Sequence, residues 1–246
     1  MAEDRRAKLK SVSVFFPAYN DEGTIGKMVE KAIKTLRGIT DDFEVIVVND
    51  ASPDKSGEIA DSLAKKYPFV KVVHHKTNRG YGGALKSGFR HSTKKWVFYT
   101  DGDAQYDVSE LALLAEHAGK ADVINGYKIK RSDSPYRAVL GGMYNWFSRR
   151  LFHIKIRDIN CDFRLMKRKI FRTVKLESDS GVICVEMIKK IQDAGFTFYE
   201  VPVRHFPRQS GKSQFFKIHR ILKVFYGLAR QWLRIVVLPA LSGKRK

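Results

Sequence analysis

The sequence predicts an α/β fold with a mostly parallel sheet that is flanked by helices on both faces. Short apolar runs rich in β-branched and aromatic residues, typical of buried strands, alternate with segments whose apolar residues recur at helical spacing. The chain has 246 residues, of which 43% are hydrophobic. That is enough for one sizeable domain, or for one domain with an appendage.

The predicted elements follow in chain order. Strands are expected at residues 11–16, 43–48, 70–74, in the run that begins at Trp96, and at 121–125 and 196–203. Helices are expected at residues 24–36, around Ile59 and Leu63, and at 84–91, 111–118, 144–152 and 182–191. The helix at 144–152 is expected to place Trp146, Phe147 and Leu151 in the core, and the helix at 182–191 to bury Ile183, Met187, Ile188 and Ile191.

The chain is strongly basic, with 46 Lys and Arg residues against 26 Asp and Glu residues and a net charge of +20. This predicts an anionic partner: a phosphorylated substrate, an anionic membrane or a nucleic acid. The two cysteines, Cys161 and Cys184, form no CxxC pair, which suits a reducing cytosol and argues against a disulfide framework or a structural zinc site. The charged first ten residues predict no signal peptide, and the lack of an uninterrupted apolar run of about 18 residues predicts no ordinary membrane span.

The run that begins at Trp96 leads into Asp101, Gly102 and Asp103. Ligands of open α/β sheets bind beyond the carboxyl ends of strands. Two neighbouring carboxylates repel each other unless a cation lies between them, and Mg²⁺ or Mn²⁺ takes such oxygens together with substrate phosphates. The segment therefore predicts a metal and phosphate site, with a surface turn that carries two solvated acids as the alternative.

A second strand also ends in an acid, because the run at 43–48 leads into Asp50. Parallel strands present their carboxyl ends at one edge of a sheet, so Asp50, Asp101 and Asp103 are expected to converge on one cleft. The alternative for Asp50 is the start of a turn, a position that Asp favours. A Gly-rich segment at 78–84 would offer backbone N–H groups to a phosphate at the start of the next helix, although a tight turn is the commoner outcome for such a segment.

Six motifs occur in a fixed order. They are Pro17-Ala18-Tyr19-Asn20-Asp21, Val48-Asn49-Asp50-Ala51-Ser52, Asn78-Arg79-Gly80-Tyr81-Gly82, Asp101-Gly102-Asp103-Ala104-Gln105, Cys161-Asp162-Phe163-Arg164 and Arg208-Gln209-Ser210-Gly211-Lys212-Ser213. Each motif is weak alone. The ordered set resembles the inverting family-two glycosyltransferases of the GT-A (Rossmann-like) fold, and most of all their dolichyl-phosphate mannose synthase-like branch, the polyprenyl-phosphate glycosyltransferases.

The resemblance implies a site for a UDP- or GDP-sugar donor. The residues that it would place in this site are Pro17, Tyr19, Asp21, Val48, Asp50, Asp101, Gly102, Asp103, Lys128, Arg208 and Ser213. Asp101, Asp103 and Arg208 would act in catalysis, and Asp103 and Gln105 would hold Mg²⁺ or Mn²⁺ on the donor diphosphate.

Three positions depart from the pattern that the resemblance sets. Asn49 stands where the family usually has the first of two acids, and Lys128 stands where it often has Arg, so that phosphate would meet a point charge instead of a bidentate fork. Asp162 stands where the family usually has Gly. That substitution changes the backbone freedom and adds a charge on the presumed acceptor side.

The chemistry bears on the acceptor. Loss of a nucleoside diphosphate places negative charge on the β-phosphate, where a metal and cations stabilise the transition state. An ionised polyprenyl phosphate, the expected acceptor, needs no strong general base. The alternative is a soluble enzyme with a saccharide or other hydroxyl acceptor, which would need a carboxylate beside that hydroxyl. Asp158, Asp162 and Glu186 are the candidates.

Three segments are predicted: a basic arm at 1–10, the GT-A domain at 11–213 and an amphipathic basic tail at 214–246. On a helical wheel the tail sets Arg220, Lys223, Arg230 and Arg234 opposite a wide apolar face, which predicts a helix lying on an anionic membrane. Packing on the domain or on a second subunit is the alternative, and Gly227 is a potential break.

These observations together predict a cytoplasmic enzyme that is peripheral on the cytoplasmic face of the membrane, with homo-oligomerisation left open. A basic nucleic-acid-binding protein without catalysis is the alternative of another class. This alternative is disfavoured because the positive charge is spread along the chain and the sequence contains no DNA- or RNA-binding motif.

Overall fold

The computed structural model describes residues 9–129, 135–207 and 218–241. Seven strands form one sheet: Val12–Ala18 (β1), Phe43–Asn49 (β2), Val70–His74 (β3), Trp96–Thr100 (β4), Val123–Lys128 (β5), Phe163–Lys167 (β6) and Phe198–Val203 (β7). The helices are Ile25–Arg37 (α1), Ser56–Lys66 (α2), Gly80–His91 (α3), Leu111–Glu116 (α4), Pro135–Phe152 (α5), Ile170–Thr173 (α6), Ile183–Asp193 (α7), Ile218–Trp232 (α8) and Leu238–Leu241 (α9). A 3₁₀ turn covers Val108–Glu110, and a π-helical turn, Leu233–Val237, joins α8 to α9.

The sheet is mixed, in the order β3-β2-β1-β4-β6-β5-β7. Its pairs are parallel except those made by β6, which runs antiparallel to both β4 and β5. The predicted mostly parallel sheet is confirmed, and all six predicted strands are present. β6 is an addition that the sequence prediction lacked.

Two apolar clusters cover the two faces of the sheet. Successive residues of a strand point to opposite faces, so Val14 and Phe16 join one cluster and Phe15 joins the other. The first cluster takes the apolar stripe of α1, which is buried along its length as predicted. The second takes α3 and α7, and it buries the four α7 residues that were predicted to be core.

The prediction for the helix at 144–152 is wrong in two respects. The helix already begins at Pro135, and two of its three predicted core residues lie at the surface, with Trp146 exposed by 66% and Phe147 by 44%. Leu151 is half-buried. The reason is that α5 is apolar on two sides, and only the side that carries Ser148 and Phe152 is buried in the protein.

The tail helix packs against the domain with one side. Val224 and Leu228 of α8 are buried in the second cluster, whereas Phe225 and Tyr226 are exposed by 54% and 72%. The helix does not break at Gly227, where a Cβ would stand 3.1 Å from the Cγ2 atom of Val182. The alternative of packing on the domain therefore accounts for one side of α8 and leaves the other side exposed.

One helical segment of the described chain, Val224–Leu241, is long and apolar enough by length and composition to cross a membrane. The sequence predicts no ordinary span because Arg230 and Arg234 interrupt the apolar run, whereas this helical segment reaches the length and composition of one. Length and composition are weak evidence for a span, since core helices also satisfy both measures.

Candidate active site

A cleft of about 260 Å³ opens at the carboxyl ends of β1, β2 and β4. The residues that line it are Pro17, Ala18, Tyr19, Asp21, Asp50, Asn78, Gly80, Tyr81, Ala84, Asp101, Gly102 and Asp103. Both acid-terminated strands therefore open on the same cleft, as their parallel arrangement predicted. Val48 and Lys128 do not line it.

Asp50 is held rigidly at the base of the cleft. Its Oδ1 atom lies 2.6 Å from Nδ1 of His75 and accepts a hydrogen bond of 2.8 Å from the backbone N–H of Arg79. The other ring nitrogen of His75 lies 2.8 Å from the hydroxyl of Ser87, which fixes the orientation of the imidazole. All three side chains are buried. The role of His75 was not predicted, because His75 lies 25 residues from Asp50 in the sequence.

Three non-glycine residues adopt left-handed backbone conformations at the rim of the cleft. They are Asn20, Ala51 and Ala104, with φ of 60°, 53° and 58°, and they follow β1, β2 and β4. The first two loops are tied together by a hydrogen bond of 2.8 Å from the N–H of Asn20 to the hydroxyl of Ser52. Conformations of this kind are costly and collect at functional sites, where the surrounding structure enforces them.

Asn49, which replaces an acid of the family pattern, has a structural role. Its Oδ1 atom accepts a hydrogen bond of 3.0 Å from the N–H of Ser52, and its amide nitrogen lies 3.0 Å from Nδ1 of His74. The neutral amide thus closes the turn that presents Asp50, a role that uses both a donor and an acceptor. A carboxylate at this position would offer no donor to His74.

Gly102 lies between Asp101 and Asp103 in the sequence, and its backbone packs closely against neighbouring residues. A Cβ atom on it would stand 3.1 Å from Oδ2 of Asp21 and 3.2 Å from the backbone oxygen of Pro17. The hydroxyl of Thr24 donates a hydrogen bond of 2.6 Å to the carbonyl of Gly102. The Asp-Gly-Asp turn is therefore anchored to the start of α1.

The residues that follow Asp103 supply further oxygen and nitrogen atoms. Asp103 is 3% exposed, and its Oδ1 atom accepts a hydrogen bond of 3.1 Å from the N–H of Gln105. The Nε2 atom of Gln105 lies 3.4 Å from Nε2 of His205 and 3.4 Å from the carbonyl of Phe206. His205 was missed by the sequence prediction, although it stands two residues beyond β7, at the same edge of the sheet.

This donor set fits a hard divalent cation. Carboxylate and amide oxygens are ligands that Mg²⁺ and Mn²⁺ prefer, and substrate phosphates complete such shells. The imidazole of His205 would add a nitrogen ligand, which suits Mn²⁺ better than Mg²⁺. The Nε2 atom of Gln105 faces the carbonyl of Phe206, so Oε1 is the atom that would be offered to a cation. Within the described chain no three His, Cys, Asp or Glu side chains are grouped for metal binding, so Gln105 and the substrate would have to contribute.

The Gly-rich segment is the first turn of α3 and not a loop before a helix at residue 84. The N–H of Gly82 donates a hydrogen bond of 3.0 Å to the carbonyl of Asp179, and a Cβ at Gly82 would stand 2.3 Å from the carbonyl oxygen of Ser178. Close approach of this neighbouring chain explains the glycine. One of the N–H groups considered for phosphate binding is therefore occupied by the protein itself.

The predicted phosphate ligand Lys128 is buried in an ion pair. Its Nζ atom lies 3.2 Å from Oδ2 of Asp158 and donates a hydrogen bond of 2.6 Å to the carbonyl of Asn160.

Glu186, a second candidate base, is fully buried and accepts hydrogen bonds of 2.9 and 2.8 Å from the backbone N–H groups of Glu177 and Ser178. Asp158 and Glu186 are thus engaged in structural contacts.

Asp162 is the candidate base that lies opposite Asp101, although it is not one of the residues that line the cleft. Phe163 pairs with Thr100 in the antiparallel β4–β6 ladder, so Asp162 and Asp101 follow at opposed positions where the ladder ends. Its Oδ1 atom lies 3.0 Å from Nη1 of Arg164, and the side chain is 16% exposed. The Asp that replaces the family's Gly therefore places a third carboxylate beside the Asp-Gly-Asp turn.

Arg164 is a fully buried cation that the sequence prediction noted only as part of a motif. Besides Asp162 it donates a 2.7 Å hydrogen bond to Oδ1 of Asn125, and it also bonds the hydroxyl of Tyr99 and the carbonyl of Ile159. Burial raises the pKa of Tyr99 well above its ordinary value although Arg164 acts in the opposite direction, so the phenol stays protonated. The network fixes the end of β6 against β4.

The late motif with Arg208 and Ser213 lies outside the described residues, as do Lys130 and Arg131 of the basic segment after β5. Their predicted roles stay predictions.

Comparison with known proteins agrees with this geometry. Residues 13–175 match the model of glycosyl transferase family 2. The chain is 31% identical over 243 residues to Glycosyltransferase AglD of Haloferax volcanii, a match that covers 95% of this chain and 39% of that protein. It is 28% identical over 227 residues to Undecaprenyl-phosphate 4-deoxy-4-formamido-L-arabinose transferase of Pectobacterium carotovorum, covering 89% of this chain and 67% of that protein.

A solved structure has the same fold. Glucosyl-3-phosphoglycerate synthase from Mycobacterium tuberculosis, crystallised with Mn²⁺, UDP and glucosyl-3-phosphoglycerate, superposes with a TM-score of 0.67 at 15% identity. The superposition covers 92% of this chain and 79% of that one. The predicted GT-A architecture is thereby confirmed. The ordered motifs, the converging acids and the match over residues 13–175 show that the chain belongs to glycosyl transferase family 2.

Proposed function

We propose that the chain is a metal-dependent inverting glycosyltransferase that moves a sugar from a UDP- or GDP-sugar to a polyprenyl phosphate. The observation that carries the proposal is the convergence of Asp50, Asp101 and Asp103 on one cleft at the carboxyl edge of the sheet. This is where donors bind in open α/β folds, and two curated relatives carry names of glycosyltransferases.

The residues of the cleft divide the work by position. Asp50, oriented by His75, accepts hydrogen bonds from the base or the ribose, while Tyr19 and Asp21 line the nucleotide pocket. Asp103, Gln105 and His205 would hold Mg²⁺ or Mn²⁺, and such a cation would supply positive charge to stabilise the leaving diphosphate. Tyr81 holds Asp101 in place, and Arg208 and Ser213 grip phosphate from the segment that follows β7.

The acceptor is assigned from chemistry. The oxygen of a polyprenyl phosphate is ionised at neutral pH and attacks the anomeric carbon from the side opposite the leaving group, which inverts the configuration without a strong base. A relative is named for transfer to undecaprenyl phosphate. The net charge of +20 suits an anionic acceptor and an anionic membrane, so we place the enzyme on the cytoplasmic face as a peripheral protein.

A second candidate is a soluble enzyme with a hydroxyl acceptor. Asp162 favours it, because a carboxylate opposite Asp101 is where a base for a hydroxyl would be needed. The ion pair with the fully buried Arg164 weighs against this role, since the carboxylate of Asp162 is already engaged with a cation. Filter binding with DNA and RNA over a range of salt concentrations tests the alternative of a nucleic-acid-binding protein.

The test is a panel of UDP-, GDP- and dTDP-sugars, each with Mg²⁺ or Mn²⁺, offered with a polyprenyl phosphate in detergent or with free saccharides. Transfer to the lipid phosphate by the intact chain, and none by an Asp103→Asn variant, is the expected result. Transfer only to a saccharide would establish the second candidate. Donor hydrolysis and transfer both absent over the whole panel would overturn the proposal.

A further inference from the structure

One side of α5 is apolar and exposed. Five large side chains recur along it, with exposed fractions from 44% to 70%. They are Tyr136, Val139, Met143, Trp146 and Phe147, and together they are called the α5 face. The opposite side of the helix holds the buried Ser148 and Phe152. A wide apolar helix surface is normally covered by a protein core or by a membrane, and among the described residues nothing covers the α5 face.

The spacing makes the α5 face one surface. Positions 136, 139, 143, 146 and 147 fall within an arc of about 100° on a helix with about 100° per residue. Arg150 follows Trp146 by four positions and is also exposed, so one cation lies within the same arc. Tyr and Trp beside Arg are side chains that settle at the boundary between lipid headgroups and acyl chains.

The charges of residues 135–152 and 218–241 indicate which kind of partner fits the two exposed apolar helical regions. Residues 135–152 and 218–241 contain no Asp or Glu, although the chain has 26 of them. The cations of these two segments are Arg137, Arg149, Arg150, Arg220, Lys223, Arg230 and Arg234. Acids are thus excluded from the elements with the largest exposed apolar side chains while cations are kept. This combination complements an anionic lipid surface.

The α5 face is joined to the tail through shared packing. Tyr144 and Leu151 of α5 pack on the same buried cluster that takes Val224 and Leu228 of α8. Phe225 and Tyr226 of α8 are exposed in turn. The tail that sequence analysis predicted to lie on a membrane is therefore anchored on the same cluster as a second apolar helix, which sequence analysis placed in the core.

We propose that the α5 face is a membrane-docking surface whose side chains enter the headgroup region of an anionic bilayer. The proposal deepens the proposed function, since an enzyme with a polyprenyl phosphate acceptor must meet the bilayer that holds it. Docking itself needs neither donor nor metal, so the two proposals are tested separately.

The experiment uses the full chain and two kinds of vesicle, one of phosphatidylcholine alone and one with phosphatidylglycerol added, at low and high salt. The test variant is Val139→Glu/Met143→Glu. Both side chains are more than 60% exposed, so the fold does not depend on them. The control is Leu113→Glu, which places one such negative charge on an exposed apolar position of α4. Circular dichroism and calorimetric binding of UDP and GDP report whether each variant is folded.

We expect the intact chain and the control to sediment with anionic vesicles. The double variant should bind these vesicles with about a tenth of the affinity or less, because two apolar side chains lose their burial in the bilayer. Brominated lipids should quench intact protein more than Trp146→Phe, since of the two remaining tryptophans Trp96 is buried and Trp232 is partly buried against the second cluster.

Wild-type binding by the double variant, or equal quenching with and without Trp146, would overturn the proposal. Retained vesicle binding together with a loss of dimer mass in light scattering would make the α5 face a subunit interface instead. Transfer in detergent is measured beside these assays, and its absence would count against the proposed function without touching the docking result.

Discussion

The phenol of Tyr81 donates a hydrogen bond of 2.8 Å to Oδ1 of Asp101, which ties the first turn of α3 to the carboxyl end of β4. Both residues line the cleft. Burial, with the nearby charges of Asp101 and Asp162, raises the pKa of Tyr81 well above its ordinary value, so the phenol remains a donor at any physiological pH. The contact fixes the orientation of Asp101, the first of the two acids of the Asp-Gly-Asp turn.

Replacing Tyr81 with Phe should lower kcat/KM about tenfold or more, because a hydrogen bond to an ionised group is worth about 1.5–3 kcal/mol. Steady-state kinetics with the preferred donor measures the effect. Tyr226→Phe is the control, since that phenol is 72% exposed on α8. Unchanged kcat/KM in Tyr81→Phe would show that Asp101 is positioned without it.

Asp103→Asn should abolish transfer and remove the thermal stabilisation that a nucleoside diphosphate gives in the presence of Mg²⁺. An amide keeps the shape of the side chain but loses the charge that a hard cation requires. Melting curves with and without nucleotide and metal provide a readout independent of turnover. Asp193→Asn, at an exposed acid of α7, is the control. A rate near that of the intact chain at saturating Mg²⁺ would refute the metal assignment.

The sequence predicted the sheet well where strands are mostly apolar. β1, β2 and β4 are buried strands made largely of apolar residues, and their bounds agree with prediction to within a few positions. β6 was missed because its five residues include Arg164 and end in Lys167, and nothing local shows that an arginine will be buried. Its burial depends on Asp162, Asn125 and Tyr99, which come from other elements or from beyond the strand.

The site was predictable in the same measure. Acids at the ends of parallel strands converge by topology alone, so Asp50, Asp101 and Asp103 were found from the pattern. His75 and His205 were not, because their contacts join residues 25 and 100 positions apart. Trp146 was misplaced because helical spacing reveals an apolar face but not whether protein covers it.

Ala51→Gly should stabilise the fold by about 1 kcal/mol. Ala51 has φ of 53°, and a left-handed backbone costs a residue with a Cβ about 1–2 kcal/mol. Glycine avoids this cost, but part of the gain is lost because glycine increases the conformational entropy of the unfolded chain. Urea unfolding gives the free energy. Ala64→Gly, within α2, should lower stability by about 1 kcal/mol. Destabilisation by Ala51→Gly would mean that the turn does not strain the residue.

Glu44→Gln should lower stability near neutral pH and lose its effect in acid. Burial alone would raise the pKa of Glu44, but hydrogen bonds from Lys71, Ser13 and Thr93 outweigh it and lower the pKa to about 2. A folded pKa below the unfolded value near 4.5 adds stability that is complete above that value and disappears as the pH falls through about 2.

The difference between Glu44→Gln and the intact chain should be about 3 kcal/mol at pH 7 and should shrink between pH 4.5 and pH 2. Urea unfolding at a series of pH values measures it. Glu30→Gln is the control, because Glu30 and its partner Lys66 are both about half exposed. A difference that stays constant with pH would indicate lost packing and not lost charge.

The two sides of α8 should respond differently to truncation of a side chain. Leu228 is 1% exposed in the second cluster, so Leu228→Ala should cost about 2–5 kcal/mol through lost burial and the cavity it leaves. Phe225 is 54% exposed, and Phe225→Ala should change stability by no more than about 0.5 kcal/mol. Urea unfolding separates the two variants, and equal losses would mean that α8 does not pack on the domain through Leu228.

This asymmetry bears on removal of residues 214–246. From the sequence, removal was expected to leave a folded nucleotide-binding domain that no longer binds vesicles. Because Val224 and Leu228 cover Val182 and its neighbours in the second cluster, removal should instead expose core and lower the melting temperature. Phe225→Glu/Tyr226→Glu is the sharper variant, since it charges only the exposed side and keeps the packing. We expect it to melt like the intact chain and to lose binding to anionic vesicles, whereas a truncated chain that melts like the intact one would show that the tail is dispensable for the fold.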